Sequence, residues 1–255
     1  MGLIKMNGIN LNVNIQGDGH PLVIIHGIGG DHTQLENEIS QFAKEYKTIA
    51  LDCRGHGESD KPDNYSLQDH VSDILGILDH YEIEKASVLG VSMGSYIAQG
   101  IAIAAPDRID KLILTVPKSN GLTSSVQRLM SEHAKELDGL NLHESILTLL
   151  KYMTFNPELM KKHIDIFETK LSPAQFLSAN KALSNFDFRS ELPKIKAKTL
   201  VISGKYDGLN PPSEGKICAS LIPNATFFEM QYSGHAPNYE EPELYMKIIY
   251  DFLKN

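Results

Sequence analysis

The chain has 255 residues, 42% of them hydrophobic, which is enough for one large domain with a full core. A formal net charge of −8 argues against nucleic acid or an anionic membrane as the main partner. No apolar run nears the roughly twenty residues of a membrane span, and MGLIKMNG carries no signal-like pattern, so a cytoplasmic protein is expected.

Two cysteines, Cys53 and Cys218, lie far apart without metal-type spacing and suit a reducing compartment. Residues 9–15, INLNVNI, alternate apolar and polar as a half-exposed strand does. Asn7-Gly8 before them is a hairpin signal, so LIKM and INLNVNI are expected to pair antiparallel. From Leu22 the rhythm changes. Short apolar runs at 22–25, 48–51, 86–89, 111–116, 199–202 and 225–229 alternate with helical patterns at 31–45, 66–81, 93–105, 211–221 and 240–253. Near-continuous apolar strands between helices mean a parallel sheet covered on both faces.

One interval breaks the alternation. Between Val116 and Thr199 there is no strand pattern, and the stretches 124–150 and 157–183 read as amphipathic helix. A structureless loop of that length is foreign to a compact domain, so residues 117–190 are expected to form a helical insertion over one end of the sheet.

The loop after the first of these runs, HGIGGDH, resembles a dinucleotide cradle, and Asp52 stands where a ribose-binding acid would. The third glycine of that fingerprint is missing, since His32 occupies its place, and a hairpin precedes the strand. Asp52 also runs at once into CRGHGES, a glycine-broken loop in which Arg54, His56 and Ser59 read as structural.

Chemistry gathers elsewhere. Gly90-Val91-Ser92-Met93-Gly94 joins a strand to a helix, a turn that lifts a serine hydroxyl above the sheet with the helix N-terminus behind it; a tight turn with a serine cap is the plainer reading. A nucleophilic serine needs a base and an acid to orient it. Asp207 follows the strand TLVISG and His235 follows ATFFEM, so all three residues leave the carboxyl ends of strands, where open α/β sheets build their sites. Asp63 and Asp187 follow no strand.

The order serine, aspartate, histidine, together with His26-Gly27, the loop Asp52-x-Arg54-Gly55-His56-Gly57-x-Ser59 and Gly234-His235, resembles the α/β-hydrolase fold superfamily along essentially the whole chain. The resemblance implies a mostly parallel eight-stranded sheet with helices on both faces, a core of residues 1–116 and 191–255, and a helical cap of 117–190. It implies Ser92 as nucleophile, His235 as general base and then acid, and Asp207 as the acid orienting His235. It also assigns the oxyanion-hole amides to Ile28 and Met93. His26 and Gly27 are expected at the pocket edge, His26 mainly as a structural hydrogen-bonding residue. Leu129, Met130, Leu147, Met153, Phe155 and Phe176 are the candidate pocket roof, with packing in the cap's own core the safer reading for most of them, and no cluster of cap arginines or lysines points to an anionic substrate.

Two departures narrow the resemblance. Ser95 follows Gly94 where a second glycine is common, and a serine nucleophile without any tryptophan speaks against the haloalkane-dehalogenase branch. The expected activity is hydrolysis of a small carboxylic ester or lactone through an acyl-enzyme on Ser92, with a small acyl substrate as partner and no cofactor or metal. A carbon–carbon bond hydrolase, a triad-using lyase or a peroxidase-like enzyme shares the same motifs. A noncatalytic ligand-binding relative and an NAD-dependent oxidoreductase are the more remote readings.

Overall fold

Asn7 and Gly8 take left-handed backbone angles, φ 46° and 82°, the pair that a type I′ turn requires. They join β1 (Gly2–Met6) to β2 (Ile9–Gln16), with Met6 opposite Ile9. The computed structural model describes residues 2–166 and 169–255.

Six further strands complete one sheet: β3 (His20–Ile25), β4 (Tyr46–Leu51), β5 (Ala86–Val91), β6 (Ile109–Thr115), β7 (Lys198–Gly204) and β8 (Ala225–Met230). Their spatial order is β1-β2-β4-β3-β5-β6-β7-β8, and every pairing from β4 onward is parallel. Alternate residues of β3 show why its run is apolar throughout. Val23 and Ile25 enter the core on one face, while Leu22 and Ile24 enter the core on the other.

Helices supply the far side of each core. On the first face lie α2 (Leu67–His80) and α3 (Met93–Ala104), contributing Val71, Ile74, Ile97 and Ile101. On the second, α1 (Glu36–Phe42) contributes Ile39 and Phe42. The helical pattern read over 31–45 is shorter in the structure, because a 3₁₀ turn at His32–Leu35 precedes α1.

Between β6 and β7 the chain leaves the sheet through a narrow neck. Asn120 and Asp187 form an antiparallel bridge, Gly121 N–H donates to Phe186 O (2.8 Å) and Phe188 N–H to Ser119 O (2.9 Å). Beyond it lie α4 (Ser125–Glu132), α5 (Ala134–Leu137), α6 (Leu142–Met153), α7 (Pro157–Met160), a 3₁₀ turn at Lys161–Ile166 and α8 (Pro173–Ala182). The stretch 124–150 is not one helix. Gly139, at φ 76°, breaks it, and Asn141 with Glu144 restarts it through a capping box. The part of the 157–183 pattern falling on 167–168 lies outside the described residues.

The chain then returns through β7, α9 (Pro212–Leu221), β8, α10 (Pro237–Glu240) and α11 (Pro242–Lys254). Tyr245 and Ile249 of α11 pack beside Ile39 and Phe42 on the second face. Among the described residues no helix is long and apolar enough to cross a membrane.

Candidate active site

Ser92 sits between β5 and α3 with φ 51° and ψ −115°, a left-handed conformation costly for a residue with a side chain. The neighbouring glycines make the turn possible. A Cβ on Gly90 would lie 2.2 Å from Gly94 O, and one on Gly94 would lie 2.1 Å from Ile25 O. Ser95, which stands where a second glycine is common, folds its hydroxyl back to donate to Ser92 O at 2.6 Å and so tightens the elbow.

His235 Nε2 lies 3.0 Å from Ser92 Oγ, and His235 Nδ1 lies 2.8 Å from Asp207 Oδ2. A carboxylate only accepts, so the imidazole proton belongs on Nδ1, leaving the Nε2 lone pair for the serine hydroxyl. The other oxygen of Asp207 is occupied by the N–H groups of Leu209 (2.9 Å) and Asn210 (2.8 Å). Buried and held on three sides, the carboxylate has one orientation available to it.

The loop carrying His235 is fixed from outside the sheet. His235 N–H donates to Met153 O at the end of α6 (2.7 Å), and Gly208 N–H donates to Tyr152 O (3.0 Å). Glu240 accepts from Gly234 N–H through one oxygen (2.6 Å) and from Asn156 N–H through the other (2.7 Å). Burial raises the Glu240 pKa above its usual value against the pull of these bonds.

Around Ser92 the backbone presents two amides. Met93 opens α3, so its N–H has no partner inside the helix, and Ile28 lies on the loop after β3. Both residues border the space beside Ser92. Gly29, at φ 81°, turns that loop, and its carbonyl accepts from Thr169 Oγ1 (3.1 Å) and Lys170 N–H (3.4 Å) of the inserted segment.

A cavity of about 210 Å³ opens on Ser92 and His235. Gly27, Ile28, Leu129, Met130, Met153 and Phe176 are among the residues that line it. A smaller chamber of about 70 Å³ meets Ser92 on its Met93 side.

A family model for the alpha/beta hydrolase fold matches residues 20–142. Over 260 residues the chain is 30% identical to 3-oxoadipate enol-lactonase 1 of Acinetobacter baylyi, covering 99% of this chain and 96% of that protein. The chain belongs to the α/β-hydrolase fold family. It is also 29% identical over 267 residues to 2-hydroxy-6-oxononadienedioate/2-hydroxy-6-oxononatrienedioate hydrolase 2 of Pseudomonas putida, covering 97% of this chain and 92% of that one. The fold superposes on an enol-lactonase from Burkholderia xenovorans with a TM-score of 0.86 at 24% identity, each chain covered in full. An esterase from Exiguobacterium antarcticum gives the same score, identity and coverage.

Some expected pocket residues of this α/β-hydrolase stand elsewhere. His26 is fully buried beneath the loop: its Nε2 accepts from Cys53 N–H (3.0 Å) and its Nδ1 meets Gly27 O (2.6 Å), so it joins two loops and does not face the cavity. Phe155 is 42% exposed and stacks outside with Tyr206 and Tyr232, because α6 has ended before it. Leu147 likewise packs with the core around Leu150 and Met160. In their place the cavity takes Val126, Ser145, Ile146 and Leu149. Positions 145, 146, 149 and 153 share one face of α6, a spacing that could have revealed them.

The loops behind the site are structural. Asp52 accepts from His32 Nδ1 (2.6 Å), His32 N–H (3.0 Å), Asn12 Nδ2 (2.9 Å) and Glu58 N–H (2.8 Å), leaving no lone pair for a ribose. Burial alone would raise its pKa, and these bonds overcome that to hold it well below the carboxylate range. Arg54 makes a two-pronged ion pair with Asp73 (2.7 and 2.9 Å), and Ser59 bonds Asp52 O and Asn12 N–H. Beyond them the rings of His26, His56 and His70 follow one another at 5.2 and 6.5 Å. Burial lowers the pKa of all three, that of His56 to about 3.

Proposed function

We propose that this protein is a serine hydrolase that cleaves a small carboxylic ester or lactone through an acyl-enzyme on Ser92. The observation that carries the reading is the hydrogen-bonded line Ser92–His235–Asp207 opening on an apolar cavity. Ser92 Oγ attacks the acyl carbon as His235 Nε2 takes its proton, and Asp207 holds the imidazolium that results. The carbonyl oxygen becomes an oxyanion between the Ile28 and Met93 amides. Collapse of this intermediate breaks the carbon–oxygen bond, and His235 returns its proton to the departing alkoxide. Water, deprotonated by His235, then attacks the acyl-enzyme and releases the acid and Ser92.

On this reading residues 1–116 and 191–255 form the catalytic core, and 117–190 form a cap that selects the substrate. Among the described residues, the lining of the larger cavity includes no lysine or arginine. That favours an uncharged hydrocarbon chain in this cavity. The buried free thiols of Cys53 and Cys218 support a reducing, cytoplasmic setting.

A second reading, cleavage of a carbon–carbon bond by the same three residues, draws on the likeness to the Pseudomonas putida dienedioate hydrolase. A panel of p-nitrophenyl butyrate, enol lactones and vinylogous 1,5-diketones separates the two. Ester or lactone turnover without diketone turnover supports the first reading, and the reverse supports the second. Ser92→Ala should lower kcat on whichever substrate is cleaved by roughly 10⁴-fold or more, with an unchanged melting temperature. Wild-type activity in that variant would refute both.

A further inference from the structure

The smaller chamber is chemically unlike the larger one. Its wall carries Lys118, Tyr96, Ser125 and Asn210 within one polar network. Lys118 is only 7% exposed, yet among the described residues no carboxylate lies within ion-pairing distance of it. Its Nζ donates to Thr123 O (2.7 Å) and Ser125 Oγ (3.2 Å). Ser125 Oγ donates in turn to Asn210 Oδ1 (2.8 Å), and Asn210 Nδ2 donates to Tyr96 Oη (2.7 Å) and Val116 O (2.8 Å). Asn210 N–H is also one of the two amides on Asp207.

Counting donors along this chain gives a definite remainder. An ammonium has three N–H groups and two are used; the Tyr96 hydroxyl accepts from Asn210 and has its own proton left to give. Among the described residues neither remaining donor has an acceptor, and both belong to residues that line the same chamber. A desolvated cation without a counter-ion is costly, and an arriving anion that accepts both protons relieves that cost. A volume of about 70 Å³ suits a carboxylate and little more.

We propose that this chamber is a carboxylate subsite: the substrate spans Ser92 with a hydrocarbon chain in the larger cavity and a carboxylate, beyond the scissile carbonyl, on Lys118 and Tyr96. The inference rests on the reading of Ser92 as nucleophile and narrows its substrate to a monoanionic, amphiphilic ester or lactone. Burial lowers the Lys118 pKa, against the opposing influence of Glu214, which is what a cation kept from water and from a close counter-ion should show. Burial likewise raises the Tyr96 pKa, so its hydroxyl stays a donor.

The test compares three esters: butyl butanoate, which is neutral; monobutyl succinate, with the carboxylate on the acyl side; and 3-(butanoyloxy)propanoate, with it on the alcohol side. In the wild type one of the two anionic esters should exceed butyl butanoate in kcat/KM on the order of tenfold or more. Lys118→Met should bring that ratio near unity, and Lys118→Arg should keep part of it. Because each variant is normalised to its own neutral ester, a general loss of folded enzyme cancels. If Lys118→Met fails to fold, the wild-type preference and its reduction in Lys118→Gln decide between the same outcomes. Equal rates on all three esters in the wild type, or a preference surviving without Lys118, would overturn the subsite.

Calorimetric titration of the same anionic esters into Ser92→Ala, with and without Lys118→Met, reads binding apart from turnover. Lys118-dependent binding without any wild-type hydrolysis would remove the hydrolase reading and leave the subsite standing. Hydrolysis without Lys118-dependent selectivity or binding would do the opposite.

Discussion

The loops at the carboxyl edge of the sheet and the helices between β6 and β7 face the same cavity but are held by different means. Around Ser92 the backbone leaves almost no choice: a left-handed serine stands between two glycines whose Cβ atoms would collide with main-chain oxygens. Asp207 is pinned by two amides and an imidazole. Across the cavity, Val126, Leu129, Ile146 and Leu149 present hydrocarbon to hydrocarbon, and several other apolar side chains would fill the same space. The lesson is a division of labour. On the proposed function, positions fixed by hydrogen-bond geometry would set the rate of bond breaking, and positions fixed only by volume would set which chain is accepted.

Substitutions should separate these two kinds of position. Asp207→Asn keeps the shape of the loop but offers its neighbour an amide in place of a carboxylate, so kcat should fall about 10³- to 10⁴-fold with KM little changed. Steady-state kinetics measures both, and a loss below tenfold would show that the two regions differ less than their geometry implies.

Behind the fixed loops, burial holds His26, His56 and His70 below their ordinary pKa. These histidines are protonated more readily unfolded than folded. Their contribution to stability is therefore present above the unfolded value of about 6.5 and is lost as pH falls toward their depressed folded values. His56→Leu should make unfolding free energy less steep against pH between about 6 and 4, by close to one proton. Urea titrations across that range test it, and an unchanged slope would refute it.

The smallest effect belongs to the covering helices. Leu149→Ala should enlarge the cavity and change kcat/KM between butanoate and octanoate esters by roughly tenfold, with kcat on the preferred ester nearly unaffected. An equal fall in kcat for every ester would place Leu149 with the fixed group.

The same division governs what could be read from sequence. Strands β3 to β7 were legible because residues buried on both faces are mostly apolar, the half-buried edge strand β8 from its short run ATFF, and the hairpin because Asn7-Gly8 suits one turn. Ser92, Asp207 and His235 were legible because each follows a strand, and a parallel sheet gathers strand ends at one edge. The roof was not. Leu149 and Phe155 are alike as apolar residues in a helical stretch, but one lines the cavity and the other stacks outside, since the end of α6 at Met153 decides it. Lys118 was illegible for a related reason. Nothing in Val116-Pro117-Lys118 shows that its ammonium turns back to Thr123 and Ser125, an arrangement made only by the neck that closes the insertion.

The bond from His235 N–H to Met153 O has a further consequence for how a substrate gets in. Because the last turn of α6 holds the loop that carries the imidazole, the roof cannot swing away without drawing His235 off Ser92. On the proposed function, admission to the cavity would then pass between side chains such as Met130, which lines the cavity and is partly exposed to solvent. Passage is then a matter of girth more than of length. On the proposed ester reading, branched esters should be hydrolysed more slowly than slender ones of the same carbon number.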